Sequence, residues 1–138
     1  MPTGAMKAFI RQETERILDG CTKCGKCFEA CPMTRYSPAL AGAAPQAVVT
    51  DILALLRGAT GSPEALGWAS VCVRSGSCVP ACPENVNPKM MMRIARMTAS
   101  GGLGGARRIA VREDRDYFDR VRAFAKLQLT EEEQKDWM

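Results

Sequence analysis

Apolar residues recur at intervals of three and four along most of the chain, which is the spacing of one face of an α helix. No stretch of useful length alternates between apolar and polar residues, as a half-buried strand would. In the first segment, Gly20 ends the helical pattern directly before the first cysteine. The apolar positions of that segment are Met6, Phe9, Ile10, Ile17 and Leu18. The pattern predicts an all-α fold.

Start and stop signals divide the remaining chain into further helices. One predicted helix spans about 45–57 with Pro45 in its first turn, and a short one follows the N-cap Ser62. Another begins at Asn87-Pro88, and a charged helix spans about 112–127. Thr130 and Glu133 have the spacing of a capping box, which predicts a last helix. The glycines of 101–105 predict a joint between a domain over 1–100 and a C-terminal helical tail over 101–138.

Composition narrows the function classes. Nineteen Lys and Arg against fifteen Asp and Glu, in 138 residues, give a net charge of +4, too mild to indicate a nucleic-acid partner. Histidine is absent, which excludes Ser-His-Asp and Cys-His catalysis, His-containing zinc sites and Rieske clusters. No segment approaches the roughly 18 apolar residues of a membrane span, and residues 1–11 lack the apolar core of a signal peptide. We therefore expect a cytoplasmic protein without a membrane span.

Cysteine is the unusual component, because seven residues fall into two groups. An odd number argues against a closed disulfide framework. The first group has the spacing C-x2-C-x2-C-x3-C-P, which is the ferredoxin run for a cubane iron–sulfur cluster, whereas a zinc ribbon needs two well-separated C-x2-C pairs. Its members are Cys21, Cys24, Cys27, Cys31 and the following Pro32. Gly25 allows the backbone to approach the cluster closely.

The second group repeats this frame with one change. Cys72, Cys78 and Cys82 keep their places and Pro83 follows them, but Ser75 stands where the second cysteine would be. Gly76 repeats Gly25. An internal repeat of this kind predicts two cluster sites.

In two-cluster ferredoxins, the last cysteine of each run binds the other cluster. Crossed ligation predicts a [4Fe–4S] cluster on Cys21, Cys24, Cys27 and Cys82, and a second cluster on Cys72, Cys78 and Cys31 with Ser75 at the remaining corner. Three alternatives stay open for the second site. It holds a [3Fe–4S] cluster on three thiolates, a [4Fe–4S] cluster completed by Ser75, solvent or a partner's ligand, or no cluster.

Several other residues have two interpretations each. Lys23, Lys26 and Arg74 either raise the cluster potentials or are solvated surface charges. Trp68 lies beside the second cluster or is ordinary packing. The aromatic side of the charged helix is predicted to dock on the body or on a partner. It comprises Tyr117, Phe118 and Phe124.

The two motifs and the Asn87-Pro88 helix behind them resemble the α-helical ferredoxin domain over about residues 1–100. The chain looks most like the C-type iron–sulfur subunit of heterodisulfide reductase, and the domain is also found in the iron–sulfur subunits of succinate dehydrogenase, fumarate reductase and glycolate oxidase. The resemblance implies an electron-transfer subunit that works with a flavin or ferredoxin-linked subunit and a partner doing disulfide or quinone chemistry. In the succinate dehydrogenase relatives, an analogous loss of one cysteine goes with a three-iron cluster, which by analogy favours [3Fe–4S] here.

No catalytic residue is identified in the chain, so its status as an enzyme stays open. Two alternative functions remain. One is an iron–sulfur redox sensor whose incompletely ligated second cluster responds to oxygen or a metabolite. The other is the N-terminal electron-transfer part of a larger oxidoreductase resembling glycolate oxidase or succinate dehydrogenase.

Overall fold

The computed structural model describes residues 3–109 and 117–137, and regular structure in this part of the chain is helical throughout, as predicted. Its α helices are α1 Gly4–Gly20, α2 Lys26–Ala30, α3 Pro45–Leu56, α4 Pro63–Val71, α5 Cys78–Ala81, α6 Pro88–Ala99, α7 Tyr117–Gln128 and α8 Glu131–Trp137. Two 3₁₀ turns, Thr34–Tyr36 and Pro38–Leu40, lie between α2 and α3. None of the described helices is both long and apolar enough to cross a lipid bilayer.

Local capping explains where the helices begin and end. Ser62 caps α4 by accepting a hydrogen bond from the Ala65 N–H at 3.1 Å, and Asn87 caps α6 through its side-chain oxygen. The capping box before α8 is formed in both directions, because Thr130 and Glu133 each accept the other's backbone N–H. The predicted helix starts at Ser62, Asn87 and Thr130 are therefore confirmed.

The core lies between α3, α4 and α6. Helix α3 is buried on most of its surface, since each of five side chains is at most 1% exposed. Burying one such side chain contributes about 1.5–3 kcal/mol relative to leaving it in water. These side chains are Val48, Val49, Ile52, Leu53 and Leu55. Helix α1 packs on α6, and the short helices α2 and α5 pack on each other beside this core.

The C-terminal helix α7 contacts the body through one face. Arg120 is only 6% exposed and Ala123 joins the core, whereas Phe118 is 70% exposed. The buried side of α7 is the one that carries Arg120 and Ala123. Phe124 is half-buried beside Ser70 and Cys72, so part of the predicted aromatic side meets the body, and docking of Phe118 on a partner stays a prediction. The predicted first residues of this helix, 112–116, and the Tyr117 side chain lie outside the described part. The domain boundary near residue 100 stays a prediction.

Candidate metal centres

The first cysteine loop connects the end of α1 to α2. The Cys21 N–H bonds the Ile17 carbonyl and ends α1, after which Lys23 and Gly25 take left-handed backbone angles with φ of 59° and 79°. This winding aims the Lys23 N–H at the Cys21 sulfur, 3.4 Å away. A donor at that position stabilises negative charge on the sulfur.

The second loop repeats this geometry at corresponding positions. Cys72 caps α4 through a bond from its N–H to the Trp68 carbonyl, and Arg74 and Gly76 have φ of 60° and 80°. Cys82 then caps α5 with φ −79° and ψ 113°, close to the −72° and 121° of Cys31 after α2. The repeat in sequence is thus a repeat in backbone structure.

Each loop borders its own cavity, and the last cysteine of each loop lies at the other's cavity. The first cavity is lined by thiols of the first loop together with Cys82. The second is lined by thiols of the second loop together with Cys31 and by Ser75. The remaining thiols of the first cavity are Cys21, Cys24 and Cys27, and those of the second are Cys72 and Cys78. The structure therefore brings together the two sets of residues that crossed ligation predicts.

In the metal-free protein, burial raises the pKa values of several of these thiols. Burial raises the pKa of Cys27 to about 12 and that of Cys78 to about 11, and neighbouring thiolates add to both shifts. Burial also raises the pKa of Cys72, while the N–H of Arg74 opposes that shift. Binding iron requires deprotonated sulfur, so assembly of a metal centre here must release protons.

The two cavities differ in the charges around them. Glu84 is the charged residue in the described lining of the first cavity, whereas Arg74 and Lys89 line the second. Of the three cations predicted near the clusters, Arg74 lines a cavity, while Lys23 and Lys26 are not part of either lining. Lys89 was not predicted, because it reaches the second cavity from α6, outside both motifs.

Ser75 lies at the second cavity, but its hydroxyl already interacts within its own loop. The hydroxyl donates to the Ser77 hydroxyl at 3.3 Å, and its oxygen accepts the Ser77 N–H at 3.4 Å. Cys24, which occupies the matching place in the first motif, lines the first cavity. The side chain of Ser75 therefore acts in the structure as a turn-forming group at the cavity wall.

Two arginines outside the motifs bond backbone carbonyls next to the second cysteine loop. Arg96 on α6 donates to the carbonyls of Ala69 and Ser70, at 3.2 and 2.8 Å, in the last turn of α4 before Cys72. Arg16 on α1 donates to the Val86 carbonyl at 3.0 Å, and Val86 lines the first cavity. The sequence offered no signal for either contact, because both join residues far apart along the chain.

The donor set and the walls of both cavities fit iron–sulfur clusters. Clusters are held by cysteine thiolates in dry, partly buried sites, and Met91 and Met92 on α6 line the first and second cavity, respectively. Among the described residues, no three Cys, Asp or Glu side chains converge as ligands of a single metal ion. At the second cavity, the described residues offer no hydrogen-bond partner to the buried Trp68 Nε1–H, so a sulfur acceptor there would satisfy it.

Comparison with known proteins agrees with this geometry. Residues 20–87 match the family model of the 4Fe–4S dicluster domain, a range that begins at the end of α1 and includes both cysteine loops. No curated protein and no solved structure matches the chain. Residues 20–87 thus match a 4Fe–4S dicluster domain, and this match supports an iron–sulfur, ferredoxin-like family and an electron-transfer role for the chain.

Proposed function

We propose that this chain is the electron-transfer subunit of a heterodisulfide reductase-like complex and serves a partner that carries out thiol–disulfide or quinone-linked chemistry. When bound, each cluster accepts and releases single electrons. The observation that carries the proposal is the exchange of the last cysteines between two neighbouring cavities, with Cys82 at the first and Cys31 at the second. This arrangement suits a relay of two centres better than it suits one isolated site.

In the proposed ligand sets, each cavity uses the thiols that line it. Cys21, Cys24, Cys27 and Cys82 hold a [4Fe–4S] cluster, and the three thiols of the second cavity hold the other cluster. These three are Cys31, Cys72 and Cys78. The α4 and α6 helices exclude water from the second site with Trp68 and Met92, which are buried.

We further propose that the second cluster is [3Fe–4S]. Three cysteine thiols line its cavity, and the Ser75 hydroxyl donates a hydrogen bond to the Ser77 hydroxyl. A serine engaged in this way supports a site with three protein ligands. The alternative, a [4Fe–4S] cluster with Ser75 as an oxygen ligand, predicts a different response to substitution.

We propose that partner subunits bind where apolar side chains of the chain are exposed. Met6 and Phe9 on α1 are 51% and 47% exposed, and Phe118 on α7 is more exposed still. Apolar side chains at such exposure favour association with another protein surface. The native mass of the protein isolated from its own cells tests this point, since a mass equal to one chain would contradict a subunit role.

The deciding experiment for the clusters is EPR on anaerobically purified protein, oxidised and then reduced with dithionite, with iron and acid-labile sulfide measured on the same sample. We expect a three-iron signal in the oxidised protein, a cubane signal after reduction, and about seven irons per chain. A silent oxidised sample with about eight irons would overturn the three-iron assignment. About four irons would overturn the two-cluster proposal itself.

Two substitutions at one position separate the alternatives for Ser75. Ser75→Ala should leave the oxidised three-iron signal in place, because the hydroxyl is not a ligand in the proposed site. Ser75→Cys restores the full motif and should convert the second centre to a [4Fe–4S] cluster, with loss of the oxidised signal and a gain of about one iron. Loss of iron from the second centre in Ser75→Ala would instead identify Ser75 as a ligand.

A further inference from the structure

The indole N–H of Trp68 is a buried donor without an acceptor. Trp68 is 1% exposed, and its Nε1 is the buried side-chain nitrogen or oxygen for which the described part of the protein offers no partner. Leaving such a donor unsatisfied is destabilising, because the N–H loses its hydrogen bond to water and gains no other. Because buried Trp N–H groups usually have a partner, this one requires an explanation.

The position of Trp68 indicates where the acceptor lies. Trp68 lines the second cavity together with Cys31, Cys72 and Cys78. Trp68 and Cys72 are one helical turn apart, since the Cys72 N–H bonds the Trp68 carbonyl, and residues four apart share a helix face. The side chain is therefore placed beside the thiol that leads the second motif.

Packing fixes the orientation of the ring. Phe28 on α2 meets the Trp68 ring edge to face, with centroids 5.1 Å apart and an interplanar angle of 77°. An aromatic pair of this geometry stabilises the packed arrangement beyond the area it buries. The indole cannot turn its N–H towards solvent without breaking this contact and leaving the core.

We infer that the Trp68 Nε1–H donates a hydrogen bond to a sulfur atom of the cluster in the second cavity, and that this bond raises the potential of that centre. The inference rests on the proposed second cluster. With that cluster bound, its cysteine and sulfide sulfur atoms are hydrogen-bond acceptors inside this cavity. Trp68 is a positioning residue in this role, since it adjusts the centre without binding iron.

The direction of the effect follows from charge. Reduction adds negative charge to the cluster, and a hydrogen bond to its sulfur stabilises the more negative state. Arg74 and Lys89 at the same cavity act in the same direction, whereas the first cavity has Glu84 in its wall. The Trp68 donor and the surrounding cations therefore both raise the potential of the second centre.

The test compares the natural side chain with one of the same shape that lacks the donor. Benzothienylalanine, introduced at position 68 by amber suppression, carries sulfur where tryptophan has N–H, and Trp68→Phe is a second variant made by ordinary mutagenesis. Met92→Leu serves as the matched control, because Met92 also lines the second cavity and is buried but offers no N–H. Anaerobic EPR redox titration of each protein measures the potentials of both centres.

We expect both Trp68 variants to lower the reduction equilibrium constant of the second centre about tenfold, which is 59 mV for one electron. The first centre and the Met92→Leu control should shift by much less. In the natural protein, transfer to D₂O should reveal an exchangeable proton coupled to the second centre by ENDOR, and the benzothienylalanine variant should lack it.

Three results would overturn the inference in different ways. If both Trp68 variants keep their iron and the natural potential, the N–H does not bond the cluster. If Met92→Leu shifts the potential as far as the Trp68 variants do, packing and not the donor controls it. If the natural protein binds about four irons, the proposed second cluster fails and this inference fails with it.

Discussion

Gly25, which is buried in the first cysteine loop, has no room for a side chain. A Cβ built on its backbone would lie 2.7 Å from the Pro45 Cβ and 3.1 Å from the backbone nitrogen of Gln46, both in the first turn of α3. Its φ of 79° is also in the left-handed region. Gly25→Ala therefore combines two costs, and helix α3 must move to relieve one of them.

The two costs have separate magnitudes. An L residue in the left-handed region costs about 1–2 kcal/mol relative to glycine. Forcing a methyl group against a packed neighbour costs about 1–3 kcal/mol more, because here the obstacle is helix backbone and a proline ring. Together they predict a loss of about 2–5 kcal/mol in the free energy of unfolding.

Gly42→Ala is the matched control. Gly42 has a similar φ of 72°, but its Cβ would meet nothing within 4 Å, so only the backbone cost of about 1–2 kcal/mol applies. Urea unfolding of both anaerobic holoproteins, followed by far-UV circular dichroism, gives the comparison. If m is about 2 kcal/mol/M, an extra 2 kcal/mol lowers the midpoint by about 1 M.

The cofactor makes strict two-state analysis unsuitable, so the midpoints rank the variants. We expect Gly25→Ala to unfold at clearly lower urea than Gly42→Ala and to retain less iron, because the first loop would no longer lie against α3. Coincident midpoints for the two variants would refute the reasoning, since they would show that the contact with Pro45 costs nothing.

Two further predictions concern contacts of helix α6. Arg96→Met removes two charge-assisted hydrogen bonds to the last turn of α4, so it should lower the free energy of unfolding by about 2–4 kcal/mol and release iron first from the second centre. Arg93→Met, at an exposed position of the same helix, is the control and should change stability little; equal losses in the two variants would contradict this role of Arg96. Asn87→Ala removes the α6 cap and also places an alanine at a φ of 60°, whereas Asn87→Gly removes only the cap. In thermal unfolding, the glycine variant should therefore be more stable than the alanine variant by about 1 kcal/mol. The reverse order would show that backbone conformation does not decide stability at this position.

Local features of the fold could be predicted from sequence. Ser62, Asn87 and Thr130 each accept a hydrogen bond from an amide three residues away, so their effect depends only on neighbouring residues. The apolar spacing of α3 likewise predicts its burial, because the whole helix contributes to the pattern. By contrast, α2 and α5 are only five and four residues long, too short for any periodicity to show.

The candidate site was predictable in its thiols but not in its surroundings. Spacing alone defined the motifs, and the repeated glycine indicated the repeated backbone turn. The contributions of Lys89 and Arg96 depend on how α6 packs against the second loop, and no pattern within α6 reports its neighbours. The sequence also left two interpretations of Trp68 open, and its place in the cavity wall could be read only from the packed structure.

Because α2 and α5 contact each other, charges at the two cavities interact. A thiolate at Cys78 raises the pKa of Cys27, although the two residues line different cavities. A charge that enters one site therefore opposes the entry of a like charge at the other. If the two proposed clusters fill these cavities, we expect uptake of the second electron to be anticooperative with uptake of the first, so that the two midpoints obtained by titration belong to the coupled pair.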